Sequence, residues 1–139
     1  MRIAIINGPN LNLVGTREPG VYGKETFEEY LVKLRKKFPS VEFTYYQSNV
    51  EGELVNEIQH AAKKSDGIIL NAGAYTHTSI AIADAIAAIQ VPVIEVHISN
   101  IAAREDFRKH SYLSAKCAGT IFGFGMKGYE LAASSLVDG

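Results

Sequence analysis

Glu95 and His97 stand out in the stretch VPVIEVHISN, residues 91–100, because most of the run has the composition of a buried β-strand. Side chains two residues apart in a strand lie on the same face of the sheet, so the carboxylate and the imidazole are expected side by side. A carboxylate that accepts one ring N–H fixes the tautomer of a histidine and favours its charged form. The spacing predicts an acid–base pair. A buried Glu95 paired with a lysine or arginine elsewhere is the alternative.

A second group of polar residues follows the first predicted strand, in the segment NGPNLNLVGTREPGVYG. It contains Asn10, Arg17 and Tyr22, and it is punctuated by glycines and prolines. A structureless loop of this length is uncommon in a compact domain unless it has a function or is disordered. An arginine and a tyrosine on such a loop suit a lid, at about residues 15–23, that closes on an anion. A solvated turn is the alternative.

The segment NAGAYTHTS follows the third predicted strand and contributes Asn71 and His77. We expect Asn71 at the end of the strand and His77 at the start of a helix, where capping or a surface contact is its alternative role. Asp84 lies seven residues further along the same helix face, about 10 Å along the axis. Its neighbours are apolar, and a charge among them needs a partner. We therefore hypothesise that Asp84 serves a neighbouring subunit.

The strand that carries the acid–base pair leads through Ile98 and Ser99 into a segment with Arg104 and Arg108. Backbone N–H groups at a strand-to-helix turn bind carboxylates and phosphates well. The positive charges beside this turn therefore predict a site for an anionic group.

Several classes of chemistry lack the residues that they need. No set of side chains has convincing metal-ligand spacing, and neither a GxxxxGK[ST] nor a GxGxxG motif follows the first strand. Cys117, the single cysteine, and the serines have no base beside them in sequence. The residues directly after the three strands, in NGPNLNLVGTREPGVYG, NAGAYTHTS and HISN, include no lysine for a Schiff base. Once these classes are set aside, the chemistry that remains is acid–base chemistry on a small, polar, anionic molecule.

The composition is that of a globular domain and gives no indication of a nucleic-acid or membrane partner. The chain has 139 residues, 47% of them apolar and 21% charged, and a formal net charge of −1. This size fits one domain with a proper core, and the charge balance offers no basic surface for nucleic acid. No apolar run approaches the roughly 20 residues that span a bilayer, and the N-terminus lacks signal-peptide organisation. We expect a single catalytic domain over residues 1–139, located in the cytoplasm.

Five apolar runs alternate with helical patterns, which predicts an α/β fold. Three of the runs are apolar on both faces, as expected for parallel strands that helices cover on each side. The alternation favours a flavodoxin-like, doubly wound sheet of five parallel strands. Ligands bind beyond the carboxyl ends of the strands in such folds. The predicted strands are Arg2–Ile6, Val41–Tyr46, Gly67–Leu70, Pro92–His97 and Gly119–Phe122.

Helical periodicity supplies the elements between the strands. Apolar residues recur at three- and four-residue spacing over residues 27–38 and 54–62. A third helix is predicted over THTSIAIADAIAAIQ, with Thr76 as its N-cap and Pro92 shortly after its end. A shorter helix is predicted in IAAREDFRKHS, and a last one from near Lys127.

The strand-end segments also resemble a known family. NGPNLNLVGTREPGVYG, NAGAYTHTSIAIADAI and PVIEVHISNIAAREDFRKHSY are similar to the three signature segments of the type II 3-dehydroquinate dehydratases, and GFGMKGY resembles their final segment. The resemblance runs from Arg2 to about Tyr129. It implies a flavodoxin-like subunit, assembled as trimers into a dodecamer. It also implies conversion of 3-dehydroquinate to 3-dehydroshikimate in the shikimate pathway, without metal, cofactor or imine.

Matched by position, the resemblance implies a role for each polar residue. Tyr22 would take the C2 proton beside the ketone, and the neighbouring Arg17 would favour its phenolate. Asn10 would hold a water that stabilises the enolate. His97 would protonate the departing C1 hydroxyl, with Glu95 in support. The substrate's carboxylate and hydroxyls would be bound by Asn71, His77, Ile98, Ser99, Arg108 and, from the adjoining subunit, Asp84.

Three positions depart from the pattern of the family. Ala72 and Met126 lie where proline is common, and Ala83 lies where arginine is common. None of the three is an implied catalytic residue, so we expect the same reaction. Ala83 puts one implied contact between subunits in question.

Another enzyme on the same scaffold, such as a lyase for a related hydroxy acid, is the closer alternative. Two flavodoxin-like modules of another class are also alternatives, an FMN carrier and a phospho-receiver domain. The first would need a Ser, Thr or Gly phosphate cradle after the first strand, where this chain has Asn-Gly-Pro-Asn. The second would need acidic residues where this chain has Asn7 and Asn71. Quinate breakdown uses the same dehydration as biosynthesis, so the sequence leaves the metabolic role open.

Overall fold

A computed structural model describes residues 1–16 and 24–139, so Arg17 and Tyr22 of the predicted lid lie outside the described residues. Five parallel strands form one sheet in the order β2-β1-β3-β4-β5, which is the flavodoxin-like order. This confirms the predicted fold class, and each strand end lies within one residue of its predicted position. The strands are β1 (Arg2–Asn7), β2 (Glu42–Gln47), β3 (Gly67–Asn71), β4 (Val93–His97) and β5 (Gly119–Phe122).

Helices cover both faces of the sheet. The part of the chain that the structure describes contains α1 (Phe27–Lys37), α2 (Glu51–Lys64), α3 (Ile80–Ala87) and α4 (Lys127–Asp138). Because side chains alternate along a strand, Ile3 and Ile5 of β1 pack under α1 and α4, and Ala4 and Ile6 pack under α2 and α3. None of the helices within residues 1–16 and 24–139 has the length and apolar character needed to cross a membrane.

The third helix begins later than predicted. Residues 73–77 form a 3₁₀ helix, and α3 begins after Ser79, whose side chain accepts a hydrogen bond from the Ile82 backbone N–H at 2.9 Å. Thr76 as the N-cap is therefore wrong. The left-handed backbone of Gly73 (φ 60°) opens a tight turn, and the extended backbone of Ser79 separates that turn from α3.

This later start also changes the positions of His77 and Asp84. His77 lies in the 3₁₀ helix and is half-buried, whereas Asp84 lies in the middle of α3 and is exposed. The two side chains do not share one helix face, and Asp84 is not enclosed by apolar neighbours. The side chains that α3 buries are Ile82, Ala83, Ala85 and Ile86.

The helix predicted in IAAREDFRKHS is replaced by two 3₁₀ helices, Ile101–Ala103 and Asp106–Lys109. The first is capped by the side chain of Asn100, which accepts a hydrogen bond from the Ala102 backbone N–H at 3.1 Å. The extended backbone of Arg104 (φ −98°, ψ −163°) then ends it. Local side-chain hydrogen bonds of this kind compete with a continuous helix, which explains why apolar spacing alone misled the prediction.

Candidate active site

A cleft lies beyond the carboxyl ends of β1, β3 and β4, where ligands bind in this topology. It encloses a cavity of about 110 Å³ that opens to solvent at its mouth. Its polar lining residues are Asn10, Asn71, His77, His97, Ser99, Arg104 and Arg108. Its apolar lining is contributed mainly by Leu11, Leu13, Val14, Ile98 and Ile101.

Close backbone packing brings the loops after β1 and β3 together. Asn7 and Asn71 are register partners at the strand ends, and the Gly8 backbone N–H donates to the Asn71 carbonyl at 2.7 Å. A Cβ at Gly8 would lie 2.5 Å from the carbonyl oxygen of Ala72, so only glycine fits. Two residues after Gly8, Asn10 has a left-handed backbone (φ 70°) and lies exposed on the rim of the cleft.

A fully buried tyrosine, Tyr129 of α4, lies beneath this junction. Its hydroxyl donates to Asn7 Oδ1 at 2.8 Å and accepts from Asn71 Nδ2 at 3.0 Å. Asn71 Oδ1 in turn accepts from the Gly73 backbone N–H at 3.1 Å. Burial raises the pKa of Tyr129, so its hydroxyl stays a neutral donor. Asn71 is thereby fixed in orientation, with one Nδ2 hydrogen left for another acceptor.

Glu95 and His97 form the predicted pair at the base of the cleft. Glu95 is fully buried, His97 is 5% exposed, and Nε2 of His97 lies 2.5 Å from Oε2 of Glu95. Burial alone would raise the pKa of Glu95, but hydrogen bonds from His97, Ser114 and Ser111 bring that pKa below its ordinary value. An ionised Glu95 accepts the Nε2 hydrogen, so Nδ1 is the ring atom left to exchange a proton with a ligand.

His77 faces the same space as His97. The two rings are nearly parallel, with centroids 6.2 Å apart, and His77 Nδ1 donates to the backbone carbonyl of His110 at 2.8 Å. Burial, together with the charges of His97 and Arg108, lowers the pKa of His77. A neutral His77 with a proton on Nδ1 presents Nε2 as a hydrogen-bond acceptor.

The mouth of the cleft is cationic. Arg104 and Arg108 line it, and Arg104 Nη1 donates to Ser99 Oγ at 3.4 Å. Arg108 Nε pairs with Glu105 Oε2 at 3.1 Å. Among the described residues, the cleft lining includes no aspartate or glutamate. An anionic ligand therefore fits the electrostatics of the site.

The structure brings most of the predicted site residues together. Asp84 does not line the cleft of its own subunit, and Arg17 and Tyr22 lie outside the described residues. Glu95 lies behind His97, and its partners in the described ranges are His97 and two serines rather than a lysine or arginine. The residues that meet at the cleft as predicted are Asn10, Asn71, His77, His97, Ile98, Ser99 and Arg108.

Three residues that organise the site were missed in the sequence. Ser111 and Ser114 contact Glu95 from 16 and 19 residues away, and Tyr129 reaches Asn7 across 122 residues. Serine hydroxyls occur throughout the chain, and no local spacing connects these to Glu95. Arg104, to which the family resemblance gives no role, also lines the cleft.

No candidate metal centre occurs within residues 1–16 and 24–139, where no three His, Cys, Asp or Glu side chains are grouped to hold an ion. Cys117 is half-buried and has a free thiol. Burial, assisted by the charge of Glu95, raises the pKa of Cys117 to about 12. Such a thiol is a poor nucleophile at neutral pH.

Known proteins are similar to this chain in sequence and in overall structure. A family model described as dehydroquinase class II matches residues 1–137. A curated 3-dehydroquinate dehydratase of Fusobacterium nucleatum is 55% identical over 144 residues, covering 99% of this chain and 97% of that protein. The crystal structure of a type II dehydroquinase from Butyrivibrio crossotus has a TM-score of 0.94 at 45% identity, and one from Propionibacterium acnes has 0.94 at 43%. Each comparison of structures covers 99% of this chain and 97% of the other.

Proposed function

The chain belongs to the class II dehydroquinase family, and we propose that it removes water from 3-dehydroquinate to give 3-dehydroshikimate as a step of the shikimate pathway. The chain is an enzyme, a 3-dehydroquinate dehydratase of type II. An FMN carrier or a phospho-receiver domain is not favoured, because the family match spans residues 1–137. Quinate breakdown would use the same reaction.

The observation that carries the mechanism is the Glu95–His97 pair at the base of a cationic cleft. Dehydration requires loss of a proton from C2, beside the ketone, and departure of the C1 hydroxyl. His97 Nδ1 would give its proton to that hydroxyl, which leaves as water. Glu95 would hold the opposite side of the ring and stabilise the imidazolium before transfer. Every step uses groups of the protein, without metal, cofactor or imine.

Tyr22 is the proposed base, with Arg17 beside it. A free tyrosine has a pKa near 10, so only about 0.1% is ionised at pH 7. Bringing the phenol near neutrality requires about three pKa units, or ~4 kcal/mol of preferential stabilisation of the anion. A desolvated guanidinium within a few ångströms has the required sign and scale. Asn10 would hold the water that stabilises the enolate formed after proton loss.

The cationic mouth of the cleft would bind the substrate's carboxylate and hydroxyls. Arg108 supplies charge, and His77 and Ser99 supply hydrogen-bonding groups that line the cleft. The free Nδ2 hydrogen of Asn71 and the backbone at Ile98 would complete the contacts. We expect this binding to weaken with salt, because part of the attraction is between charges.

Asp84 would complete the site of a neighbouring subunit, within trimers that assemble into a cytoplasmic dodecamer. Its exposure on α3, away from the cleft of its own subunit, supports this proposal. Co-refolding two inactive variants, Asp84→Asn and His97→Ala, should restore part of the activity, because some mixed sites contain both native residues. Activity that stays absent in the mixture, with both variants assembled normally, would exclude a shared site.

The test of the proposed function is turnover of 3-dehydroquinate, followed by the ultraviolet absorbance of the conjugated product. Tyr22→Phe and His97→Ala should each lower kcat by about 10²–10⁴, with little change in substrate affinity. Arg17→Lys should also lower kcat, because a flexible ammonium does not reproduce guanidinium geometry. His60→Ala, an exposed histidine on α2, is the matched control and should stay fully active.

Failure of the mechanism and failure of the function have different signatures. Wild-type enzyme that leaves 3-dehydroquinate unchanged would refute the function itself. Unchanged kcat in Tyr22→Phe or His97→Ala would refute the assignment of base or acid while the function stands. Borohydride with substrate should leave activity intact, and irreversible loss would indicate an imine.

A further inference from the structure

The carboxylate of Glu95 is held by hydroxyl groups from a separate segment of the chain. Ser114 Oγ donates to Oε1 at 2.7 Å, and Ser111 Oγ lies 3.2 and 3.1 Å from Oε1 and Oε2. Together with His97 Nε2 on Oε2, both oxygens receive donors although the residue is fully buried. A buried carboxylate stays ionised only where such donors replace its lost hydration.

The hydrogen-bond partners of Ser111 force its hydroxyl to act as a donor. Ser111 Oγ accepts from the backbone N–H groups of Leu113 at 3.0 Å and Ser114 at 3.1 Å. These two bonds use the acceptor capacity of the oxygen, so its hydrogen is directed at Glu95. Ser111 therefore favours a carboxylate over a carboxylic acid at that position.

Ser114 is directed in the same way by a third hydroxyl. Thr120 Oγ1 of β5 donates to Ser114 Oγ at 3.2 Å, and Ser114 passes its own hydrogen to Glu95. Hydrogen bonds in such a chain polarise one another. The chain from Thr120 to Glu95 ends on a negative charge, which is the arrangement that strengthens each donor.

We propose that Ser111 and Ser114 are positioning residues that hold Glu95 as a carboxylate and thereby keep His97 charged, with Nδ1 directed at the leaving hydroxyl. The proposal rests on the proposed function, in which His97 is the acid. Without the serines, the proton on Nε2 would pass to Glu95, and the neutral ring would no longer be an effective acid. Both serines act through Glu95 and contact no substrate.

Three other charged or titratable groups face this pair. The His77 ring stacks near that of His97. The charge of Glu95 raises the pKa of Cys117, and the charge of Arg108 lowers the pKa of His77. A thiol with a pKa of about 12 stays neutral near pH 7, and an arginine does not titrate there. Of these three groups, His77 is therefore the one that can change its charge near neutral pH.

The kinetic test compares Ser111→Ala and Ser114→Ala with wild type. Each single variant should lower kcat about tenfold and the double variant up to about 100-fold, because hydrogen bonds to a charged group are lost. KM should change less than about twofold. The loss of kcat in Glu95→Gln sets the upper limit for the serine variants, since this change removes the charge that the serines are proposed to maintain.

The pH profile separates this role from a packing defect. When the hydroxyls are removed, the form with a protonated Glu95 and a neutral His97 gains population and holds its proton more tightly. The plateau of kcat should therefore fall while its basic limb moves to higher pH. Loss of packing alone would lower kcat or stability without moving the limb.

Nitrogen-15 NMR of histidine-labelled protein tests the same point without turnover. In wild type both ring nitrogens of His97 should carry hydrogen near neutral pH, and in Ser111→Ala Nε2 should become an acceptor. Ser114→Thr, which keeps the hydroxyl, should restore kcat and the wild-type ring signals. If Ser111→Ala does not fold, Ser114→Ala and Thr120→Val, at an exposed residue, give the same readouts.

Two results would overturn the proposal. One is a pair of alanine variants with wild-type kcat and unchanged His97 signals. The other is a threonine variant that is as impaired as alanine. An inactive wild type would refute the proposed function alone, because the NMR comparison would still test the serines.

Discussion

Removing one hydroxyl from Tyr129 should destabilise the protein, and the same change at Tyr30 should not. Tyr129 Oη joins Asn7 to Asn71 in the interior, through bonds of 2.8 and 3.0 Å. Tyr30 packs against the same ring, with centroids 6.2 Å apart. Its hydroxyl is buried but has no hydrogen-bond partner among the described residues.

The magnitude follows from the groups left unpaired. In Tyr129→Phe the Oδ1 of Asn7 and one hydrogen of Asn71 Nδ2 stay buried without a partner, at about 1–3 kcal/mol each. Allowing for relief of the hydroxyl's own burial, we expect a loss of about 2–4 kcal/mol. An unfolding entropy of ~2.1 cal/mol/K per residue over 139 residues converts this to about 7–14 °C in Tm.

Tyr30→Phe removes a hydroxyl that is unpaired within the described part of the chain. Burial, together with the charge of Glu130, raises the pKa of Tyr30 to about 12, and its buried hydroxyl has no hydrogen-bond partner within residues 1–16 and 24–139. Replacing an unpaired buried hydroxyl by hydrogen is neutral or stabilising, so Tm should stay level or rise slightly. Thermal and urea unfolding of both variants at one protein concentration make the comparison.

Activity gives Tyr129→Phe a second readout. With the hydroxyl gone, the Asn71 amide keeps only its bond to Gly73 N–H, and its orientation toward the cleft becomes less defined. We expect kcat/KM to fall in Tyr129→Phe and to hold in Tyr30→Phe. Equal stability and equal activity in the two variants would refute the reasoning that the network, rather than the aromatic ring, orients Asn71.

Two further predictions concern the backbone and pH. Gly8→Ala should lower the free energy of unfolding by about 2–4 kcal/mol, because its Cβ would lie 2.5 Å from the Ala72 carbonyl oxygen. Gly52→Ala, where the Cβ would enter open space, should raise it by about 0.5–1 kcal/mol. Urea unfolding of both variants measures the difference, and the opposite order of stability would refute the clash. Because burial, with nearby positive charge, holds the pKa of His77 below 6.5, the unfolded chain binds its proton more readily, and stability should fall as pH drops through about 6.5. Glu95, whose pKa lies below 4.5 despite burial, should add a second loss below that pH, and pH-independent unfolding would contradict both assignments.

The strands could be predicted because their signal is local. β1, β3 and β4 are buried on both faces, so each appears in the sequence as an apolar run that ends at a polar residue, interrupted in β4 by Glu95. Their parallel arrangement places all carboxyl ends at one edge of the sheet. The convergence of Asn71 and His97 on one cleft follows from those two facts.

The missed elements depend on contacts that no local pattern encodes. The segment THTS contains several hydroxyl groups that could cap a helix, and Ser79 rather than Thr76 caps α3. The Thr76 carbonyl instead accepts a hydrogen bond from the distant Tyr112 N–H at 3.0 Å. Ser111 and Tyr129 are likewise recruited to the site across long stretches of chain. Hydroxyl groups are common, and only the fold determines which of them meet a buried carboxylate or amide.

The use of hydroxyls rather than a cation to hold Glu95 has a direct consequence for His97. A lysine or arginine beside Glu95 would also keep it ionised, but its positive charge would oppose a proton on the neighbouring imidazole. Serine donors stabilise the carboxylate and leave its full negative charge facing His97. The cationic side chains are placed instead at the mouth, where Arg108 lines the cleft and faces an entering anion. The site thus separates the positive charge at its mouth from the negative charge that faces His97.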